Sequence, residues 1–378
     1  MGWGKTTTAA ATAVELASRG HRVVVTSADP AHSLADVFAV PLGSEPTEVT
    51  PGCFAQQVDA LVRMEESWGD VRSWLVQLLD WAGLSALEAE ELAVLPGLEE
   101  LVALMEIDSL ARSGDHDVVV VDCAPTAETI RLLSLPDILD WYMRRAFPAS
   151  RRLTRVVGPI LARVSDVPMA TPEVFDAVER FHAQLISVRD LLTDDTLTTA
   201  RIVVTPEQVV LAEARRTFTY LSMFGYHTDA VVVNRLLPPG SDDPFLARML
   251  AAQEHQMRDV ADEFHPLRIL SSPHAGAEVI GAEALCRHGA TLWAGVDPLS
   301  DLSPGSPVRI SYRDDHPVLV ISLPNTTSEE IDLTSTDGDL AVAVGPYRRN
   351  LALPSALRGR HVTRAEVAGE ELRIEFGA

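Results

Sequence analysis

Short runs of β-branched residues alternate with longer helix-forming segments over most of the chain. Unbroken apolar runs of this kind predict strands that are buried on both faces. These strands are predicted at 21–27, 117–122, 201–204, 230–233 and 267–270. Helices are predicted at 9–19, 209–224 and 281–293, and Gly20 ends the first of them. Strands that alternate with helices predict an α/β fold with a doubly wound parallel sheet.

Two long helical blocks interrupt this alternation. The first covers about residues 60–110 and is rich in Leu, Ala and Glu, with three tryptophans. The second covers about residues 132–192 and carries arginines interleaved with apolar residues. Core packing for the tryptophans and a solvated face for the arginines are the ordinary interpretations. The functional alternative is a surface that binds an apolar client segment, an acidic partner or a membrane.

The pattern changes to a period of two near the C-terminal end. Residues 295–307 are rich in Pro, Ser, Gly and Asp and are predicted to be a linker. Beyond them, apolar and polar residues alternate in segments at 308–310, 318–320, 340–344, 351–353 and 372–376. This alternation predicts a small antiparallel β-sandwich domain over 308–378, which shows no catalytic cluster. Residues 1–294 then form the α/β domain.

Charge and cysteine content exclude several classes of function. The 378 residues carry a formal net charge of −23, which argues against a sequence-independent nucleic-acid binder. The three cysteines, Cys53, Cys123 and Cys286, lie far apart without metal-ligand spacing, so a disulfide framework or a structural zinc site is not expected. The sequence has no signal peptide and no apolar run of membrane-spanning length. We therefore predict a cytoplasmic protein.

The first predicted helix opens with Gly4-Lys5-Thr6, the second half of the phosphate-binding pattern G-x-x-x-x-G-K-[ST]. Glycines let backbone N–H groups curl around phosphate oxygens, and the helix N-terminus adds partial positive charge. Lys5 would reach the β- and γ-phosphates, and the Thr6 hydroxyl would hold Mg²⁺. A Gly-Lys-Thr tripeptide alone is a weak signal, because it also occurs by chance.

The position of this motif creates a further expectation. If Gly4 is the second glycine of the pattern, the first glycine and the strand before it fall upstream of Met1. We therefore expect the chain that begins at Met1 to bind nucleotide poorly and to be a poor ATPase. Restoring the upstream residues should raise both activities.

Two aspartates follow predicted buried strands. Asp29 comes just after the strand at 21–27, and Asp122 ends the valine run at 118–121. The carboxyl ends of parallel strands are where α/β proteins bind ligands. A valine run that ends in Asp has the form of a Walker B strand, whose carboxylate helps to place Mg²⁺.

Four stretches, in order along about 290 residues, resemble the arsenite-pump / tail-anchored-protein-targeting (ArsA-type) ATPases. Residues 1–7 resemble the deviant Walker A loop of that family, with Trp3 in place of Val. Residues 27–34 (SADPAHSL) are similar to its switch I, and residues 122–133 (DCAPTAETIRLL) to its switch II. Residues 233–235 (VNR) resemble the strand whose Asn contacts adenine. The combination is far more specific than a lone phosphate-binding loop.

This resemblance implies a homodimer that closes over ATP and Mg²⁺. Asp29 would orient or activate the attacking water, and Lys5 would be the second catalytic residue. Thr6 would ligate Mg²⁺, and Asp122 would support the metal through water. The two helical blocks would form a groove that opens and closes with nucleotide for an apolar client or a membrane-protein partner. The implied nucleotide contacts are Gly2, Trp3, Gly4, Lys5, Thr6, Thr7, Asn234 and Pro273.

The C-terminal segment resembles an α-crystallin (small heat-shock-like) domain. The resemblance rests on short signals at 323–324, 338–340, 347–349, 353–354 and 371–374. Such a domain favours a role in handling clients or in scaffolding.

Departures from the family pattern keep alternatives open. The signature lysine aligns one residue before Met1, and Ala127 and Glu128 replace the Gly-His of switch II. The C-x-x-C that forms a zinc clasp and the clustered cysteines that bind arsenite are absent, so no zinc clasp is expected. The alternatives to a client-handling Mg-ATPase are an arsenite-efflux ATPase and a degenerate non-catalytic scaffold. A related partitioning ATPase is disfavoured by the acidic charge and the switch I sequence.

Overall fold

The computed structural model describes residues 4–27, 33–57, 72–73, 76–77, 80, 98–123, 172–240, 243–300, 302–303, 305–313, 316–336, 339–353, 357 and 360–377. The helices in these ranges are α1 (Lys5–Ser18), α2 (Ser33–Phe38), α3 (Leu98–Ser113), α4 (Pro172–Thr193), α5 (Gln208–Phe224), α6 (Pro244–Glu263) and α7 (Ala282–Leu292). The strands are β1 (Val23–Ser27), β2 (Thr47–Thr50), β3 (Cys53–Gln57), β4 (Val118–Asp122), β5 (Ala200–Val204), β6 (Thr228–Leu236), β7 (Arg268–Pro273), β8 (Val308–Arg313), β9 (His316–Ser322), β10 (Ile331–Thr336), β11 (Asp339–Val344), β12 (Tyr347–Ala352), β13 (Val362–Ala368) and β14 (Glu371–Phe376).

The first sheet has the strand order β2-β3-β1-β4. β1 runs parallel to β3 and β4, and β2 is an antiparallel edge strand. Val23 and Val25 of β1 pack against the alanine-rich face of α1 in one buried cluster. Small alanine side chains let the helix approach the sheet closely. This sheet carries β1, which Asp29 follows in the sequence, and β4, which ends at Asp122.

The second sheet has the order β5-β6-β7, and its strands are all parallel. Helices cover both of its faces. α5 and α6 pack on one face, against Val231 and Val233, and α7 packs on the other, against Val232 and Leu270. Burial on both faces explains the unbroken valine run of β6. The predicted doubly wound α/β fold is thereby confirmed.

Helix α7 joins α1 to the second sheet. A Cβ on Gly289 would lie 2.5 Å from the Ala11 carbonyl oxygen, so glycine allows α7 to touch the α1 backbone. The Trp293 indole Nε1 donates to the Thr12 hydroxyl at 3.1 Å, and that hydroxyl donates to the Thr8 carbonyl at 2.7 Å. Trp293 is also part of the core beneath the second sheet. The position of α1 is therefore tied to β6 and β7 through α7.

The C-terminal strands form two antiparallel sheets, β10-β11-β12 and β13-β14-β9-β8. Leu340, Ile321 and Ile374 meet in a core with alternate residues of the other strands, which confirms the predicted antiparallel β domain. The same core includes Tyr220 and Met223 of α5. A hydrogen bond also joins α5 to the β domain: the Thr219 hydroxyl donates to the Pro324 carbonyl oxygen at 2.6 Å. The β domain therefore packs directly on a helix of the α/β domain.

Several elements were not predicted from the hydrophobic pattern. They are α2, β2, β3, α6, β10 and β13. β2 and β13 are partly exposed and their apolar residues do not alternate strictly with polar ones, so their strand signal is weak. α6 is mostly exposed, but its start carries a signal that was available: Asp243 caps the backbone N–H groups of Phe245 and Leu246, with Pro244 at the first turn. Most of the predicted helical blocks lies outside the described residues.

Candidate functional site

The N-terminus of α1 has the geometry of an anion-binding site. Gly4 precedes the helix with φ 83° and ψ 22°, in the left-handed region, and no side chain caps the helix. The Thr8 N–H makes the first bond back to the Gly4 carbonyl, at 2.9 Å. The N–H groups of the first turn have no acceptor within a helix, and the helix dipole adds positive charge there. This end of α1 is therefore suited to phosphate oxygens.

Gly4 lies against Asn234 at the end of β6. A Cβ on Gly4 would fall 2.1 Å from the Asn234 Nδ2 atom, closer than any real side chain could approach. Both the positive φ and this contact require glycine. The residue implied for adenine thus lies beside the residue implied for phosphate, although 230 positions separate them in the chain.

The Thr6 hydroxyl lies 3.1 Å from the Ser33 hydroxyl, the first residue of α2. Helix α2 is anchored beneath this contact, because Leu34 and Phe38 are buried and the Gly281 N–H donates to the Val37 carbonyl at 2.8 Å. Ser33 stands in the switch I stretch of the sequence, but no role was predicted for it. The structure brings the predicted metal ligand and this stretch together.

Asp122 and Lys5 share the space at the end of β4. The Asp122 carboxyl is only 2% exposed and is in register with Ser27 of β1. Desolvation by the surrounding protein and the Asp122 carboxylate raise the pKa of Cys123 to about 12, and the Lys5 ammonium lowers it. Lys5 and Asp122 therefore lie near the same thiol.

Ser272 and His288, for which the sequence predicts no role, also lie in this region. The Ser272 hydroxyl of β7 donates to the Asn234 Oδ1 atom at 2.9 Å and lies 3.2 Å from the His288 Nε2 atom of α7. Pro273, the second residue implied for adenine, ends β7 in register with Leu236. Ser272 precedes Pro273, but nothing in the sequence links it to Asn234, which is 38 residues away.

Some predicted site residues cannot be placed. Gly2, Trp3 and Asp29 lie outside the described residues. Thr7 lies in the first turn of α1 and is half-buried. Among the described residues, the structure brings Gly4, Lys5, Thr6, Asp122 and Asn234 into one region at the carboxyl ends of β4 and β6.

The residues present fit ATP and Mg²⁺. Magnesium prefers hard oxygen ligands, and the Thr6 hydroxyl and the Asp122 carboxylate are of this type. The glycine-opened N-terminus of α1 and the Lys5 ammonium fit a phosphate chain. The Asn234 amide offers both a donor and an acceptor to a base.

Two family models match the chain, one over the α/β domain and one over the C-terminal β domain. Residues 1–294 match the family model "Anion-transporting ATPase", and residues 314–376 match "HSP20-like domain found in ArsA". The chain is 34% identical over 383 residues to a putative arsenical pump-driving ATPase 1 of Aquifex aeolicus, covering 99% of this chain and 97% of that protein. It is 31% identical over 293 residues to ATPase GET3 of Malassezia globosa, covering 75% and 86%. It is 29% identical over 316 residues to ATPase GET3B of Arabidopsis thaliana, covering 77% and 76%.

Proposed function

The chain belongs to the anion-transporting (ArsA-type) ATPase family, and we propose that its ATP hydrolysis is Mg²⁺-dependent and drives a dimeric switch cycle around a client-binding groove. Membership of this family makes the chain an ATP hydrolase. One observation carries the proposal: the N-terminus of α1 meets Asn234 at Gly4 and Ser33 at Thr6. The residues proposed to bind phosphate, metal and base therefore lie together around the N-terminus of α1.

Each residue has a physical role in this scheme. The N-terminus of α1 and Lys5 bind the phosphate chain and balance its negative charge. Thr6 and Asp122 would hold Mg²⁺, which when bound neutralises charge on the β- and γ-phosphate oxygens. Asp29 orients and activates the attacking water, and Asn234 with Pro273 holds the adenine ring. The roles of the described residues extend the family resemblance to groups that the fold brings together, and the role of Asp29 rests on the resemblance alone.

The helical blocks would respond to the nucleotide through β4. Helix α3 leads into β4 after a short turn, and β4 ends at Asp122. Helix α3 also packs on α4, where the Arg112 guanidinium donates to the Ser187 hydroxyl at 2.7 Å and that hydroxyl donates to Asp108 at 2.9 Å. A shift at Asp122 on metal binding can thus move α3 and α4 together. This path supports a groove that opens and closes with nucleotide.

The proposed partners are a second copy of the chain and an apolar client or membrane-protein segment. Two of the relatives are named ATPase GET3 and ATPase GET3B, and the HSP20-like domain packs on α5 in the same molecule. Within the described ranges, no helix has both the length and the apolar character needed to cross a bilayer.

Replacing Asp29 with Asn tests the proposed mechanism. We expect kcat to fall by about 10²-fold, because an amide cannot take a proton from the attacking water. Nucleotide should still bind, so the variant should trap the closed dimer. Steady-state phosphate release with Mg²⁺ and with EDTA, together with light scattering, measures both effects. Asp36→Asn, an exposed residue of α2, is the matched control and should behave like wild type.

Two results would count against this scheme. Wild-type turnover in Asp29→Asn would remove Asp29 from the reaction. ATP binding without Mg²⁺-dependent hydrolysis in wild type would instead select a non-catalytic scaffold.

An arsenite-responsive ATPase is the second candidate, favoured by similarity to proteins named as arsenical pump-driving ATPases. Arsenite binding requires thiolates, as soft metals do. Burial raises the pKa of Cys53 to about 12, and desolvation with Asp122 raises that of Cys123 to about 12. Within the described residues, no group of three or more His, Cys, Asp or Glu side chains could hold a metal ion. The thiol chemistry therefore disfavours this candidate.

We expect arsenite to leave ATP turnover unchanged. At pH 8 a thiol with a pKa near 12 is thiolate in only about one molecule in 10⁴, and that fraction rises only as the pH approaches the pKa. Native protein should therefore react with Ellman's reagent far more slowly at the buried Cys53 than at the exposed Cys286. Cys286→Ser should remove the contribution of Cys286 to the fast phase. Arsenite stimulation of turnover would restore the second candidate.

A further inference from the structure

A buried polar chain runs behind the N-terminus of α1. It consists of Asn234, Ser272 and His288, which are 5%, 0% and 8% exposed and come from β6, β7 and α7. The Ser272 hydroxyl donates to the Asn234 Oδ1 atom at 2.9 Å and lies 3.2 Å from the His288 Nε2 atom. The Asn234 Nδ2 atom faces Gly4 at the other end of the chain.

The imidazole tautomer and the amide orientation in this chain are coupled. With the Asn234 Oδ1 atom toward Ser272, the single hydroxyl proton of Ser272 goes to Asn234, so the contact with His288 requires the imidazole to donate from Nε2. Burial lowers the pKa of His288, so the ring is neutral and carries one proton. The Nε2–H tautomer thus holds the Oδ1 atom toward Ser272 and the NH₂ group toward Gly4, whereas the Nδ1–H tautomer would accept from Ser272 and favour the rotated amide.

We propose that Ser272 and His288 are positioning residues that fix the orientation of the Asn234 amide and so set the preference of the site for adenine over guanine. The inference rests on the proposed function, in which Asn234 contacts the base. Adenine carries an amino donor where guanine carries a carbonyl acceptor, so Asn234 matches adenine only in the orientation in which the second lone pair of Oδ1, beside the bond from Ser272, can accept from the base. A rotated amide exchanges its donor and acceptor and loses this match.

The same contacts would exist if the three residues merely satisfied one another in the core, because buried polar groups need partners. A core role predicts a loss of stability without a change in base preference. A positioning role predicts a change in the ratio of ATP to GTP turnover. The two roles are therefore separated by specificity rather than by stability.

Ser272→Ala is the principal test. We expect the ratio of kcat/KM for ATP to that for GTP to fall by about tenfold, through a higher KM for ATP with little change in kcat. Ser272→Thr keeps the hydroxyl and should restore the ratio to within about twofold of wild type. Ser271→Ala is the matched control, because Ser271 is exposed on the same strand and should leave the ratio unchanged.

His288→Leu is the second variant, and it tests the chain from its other end. Leucine has a volume similar to that of histidine but has no N–H group to donate to Ser272. The ratio of kcat/KM for ATP to that for GTP should therefore fall by about threefold. Thermal unfolding of each variant identifies those that are folded. Folded Ser272→Ala or His288→Leu protein with a wild-type ratio would overturn the inference.

ATP hydrolysis by the wild-type protein distinguishes a failure of this inference from a failure of the proposed function. Absence of ATP hydrolysis in wild type would mean that the proposed function itself fails. Wild-type hydrolysis with an altered ratio in Asn234→Asp but not in Ser272→Ala would leave the function intact and reject only the positioning role.

Discussion

Replacing Gly4 with Ala is expected to lower kcat/KM for ATP by about 10³-fold or more. Two costs coincide at this position. An L-residue at φ 83° is strained by about 1–2 kcal/mol. Its Cβ would also lie 2.1 Å from the Asn234 Nδ2 atom, so either the helix N-terminus or the amide must move. Steady-state ATP hydrolysis and calorimetric titration with nucleotide measure the loss.

Gly20→Ala is the matched control for this prediction. Gly20 also has a positive φ, 96°, but a Cβ there would meet no atom within 4 Å. The control should therefore lose about 1 kcal/mol of stability from backbone strain and keep wild-type kcat/KM. Wild-type nucleotide affinity in Gly4→Ala would contradict the contact between Gly4 and Asn234.

Replacing Thr6 with Val is expected to reduce Mg²⁺-dependent hydrolysis by about 10³-fold. Valine keeps the shape of threonine but removes the oxygen ligand, and a lost metal contact costs several kcal/mol of transition-state stabilisation. The variant should also need a higher Mg²⁺ concentration for half-maximal rate. A Mg²⁺ titration at saturating ATP measures both effects.

Two further substitutions refine the test at Thr6. Thr6→Ser keeps the hydroxyl and should retain most of the activity. Ser33→Ala removes the 3.1 Å partner of Thr6 but leaves the metal-binding oxygen in place, so only a change of a few-fold is expected. A Thr6→Val enzyme that responds to Mg²⁺ like wild type would exclude Thr6 as the metal ligand.

The buried strands were predictable because burial on both faces leaves a continuous apolar run. Such runs mark β1, β4 and β6 in the sequence, and the structure forms these strands within one to three residues of the predicted bounds. β10 and β13 were missed, because few of their residues face a core and their alternation is correspondingly weak. The visibility of a strand in the sequence therefore follows the length of its apolar run: β3 is mostly buried but was missed, because its five residues end in Gln56 and Gln57.

The residues of the candidate site also fall into those that the sequence predicted and those that only the structure revealed. Lys5, Thr6 and Asp122 could be predicted because phosphate and Mg²⁺ require particular residue types at particular places beside a strand or a helix end. No role could be predicted for Ser33, Ser272 and His288. Their proposed roles rest on single contacts with distant residues, and such pairs leave no spacing pattern in one sequence.

The sequence by itself determined the α/β class, the antiparallel C-terminal domain and the residue types of an ATP site, because each follows from local periodicity or from a short motif. Only the tertiary structure decided which residues meet at that site. The close packing of α7 on α1 through Gly289 and the polar chain from Asn234 to His288 bring β6 and β7 to the N-terminus of α1. Contacts of this kind depend on how helices and sheets pack in space, and that packing is specified by side-chain volume and hydrogen-bond geometry across the whole domain.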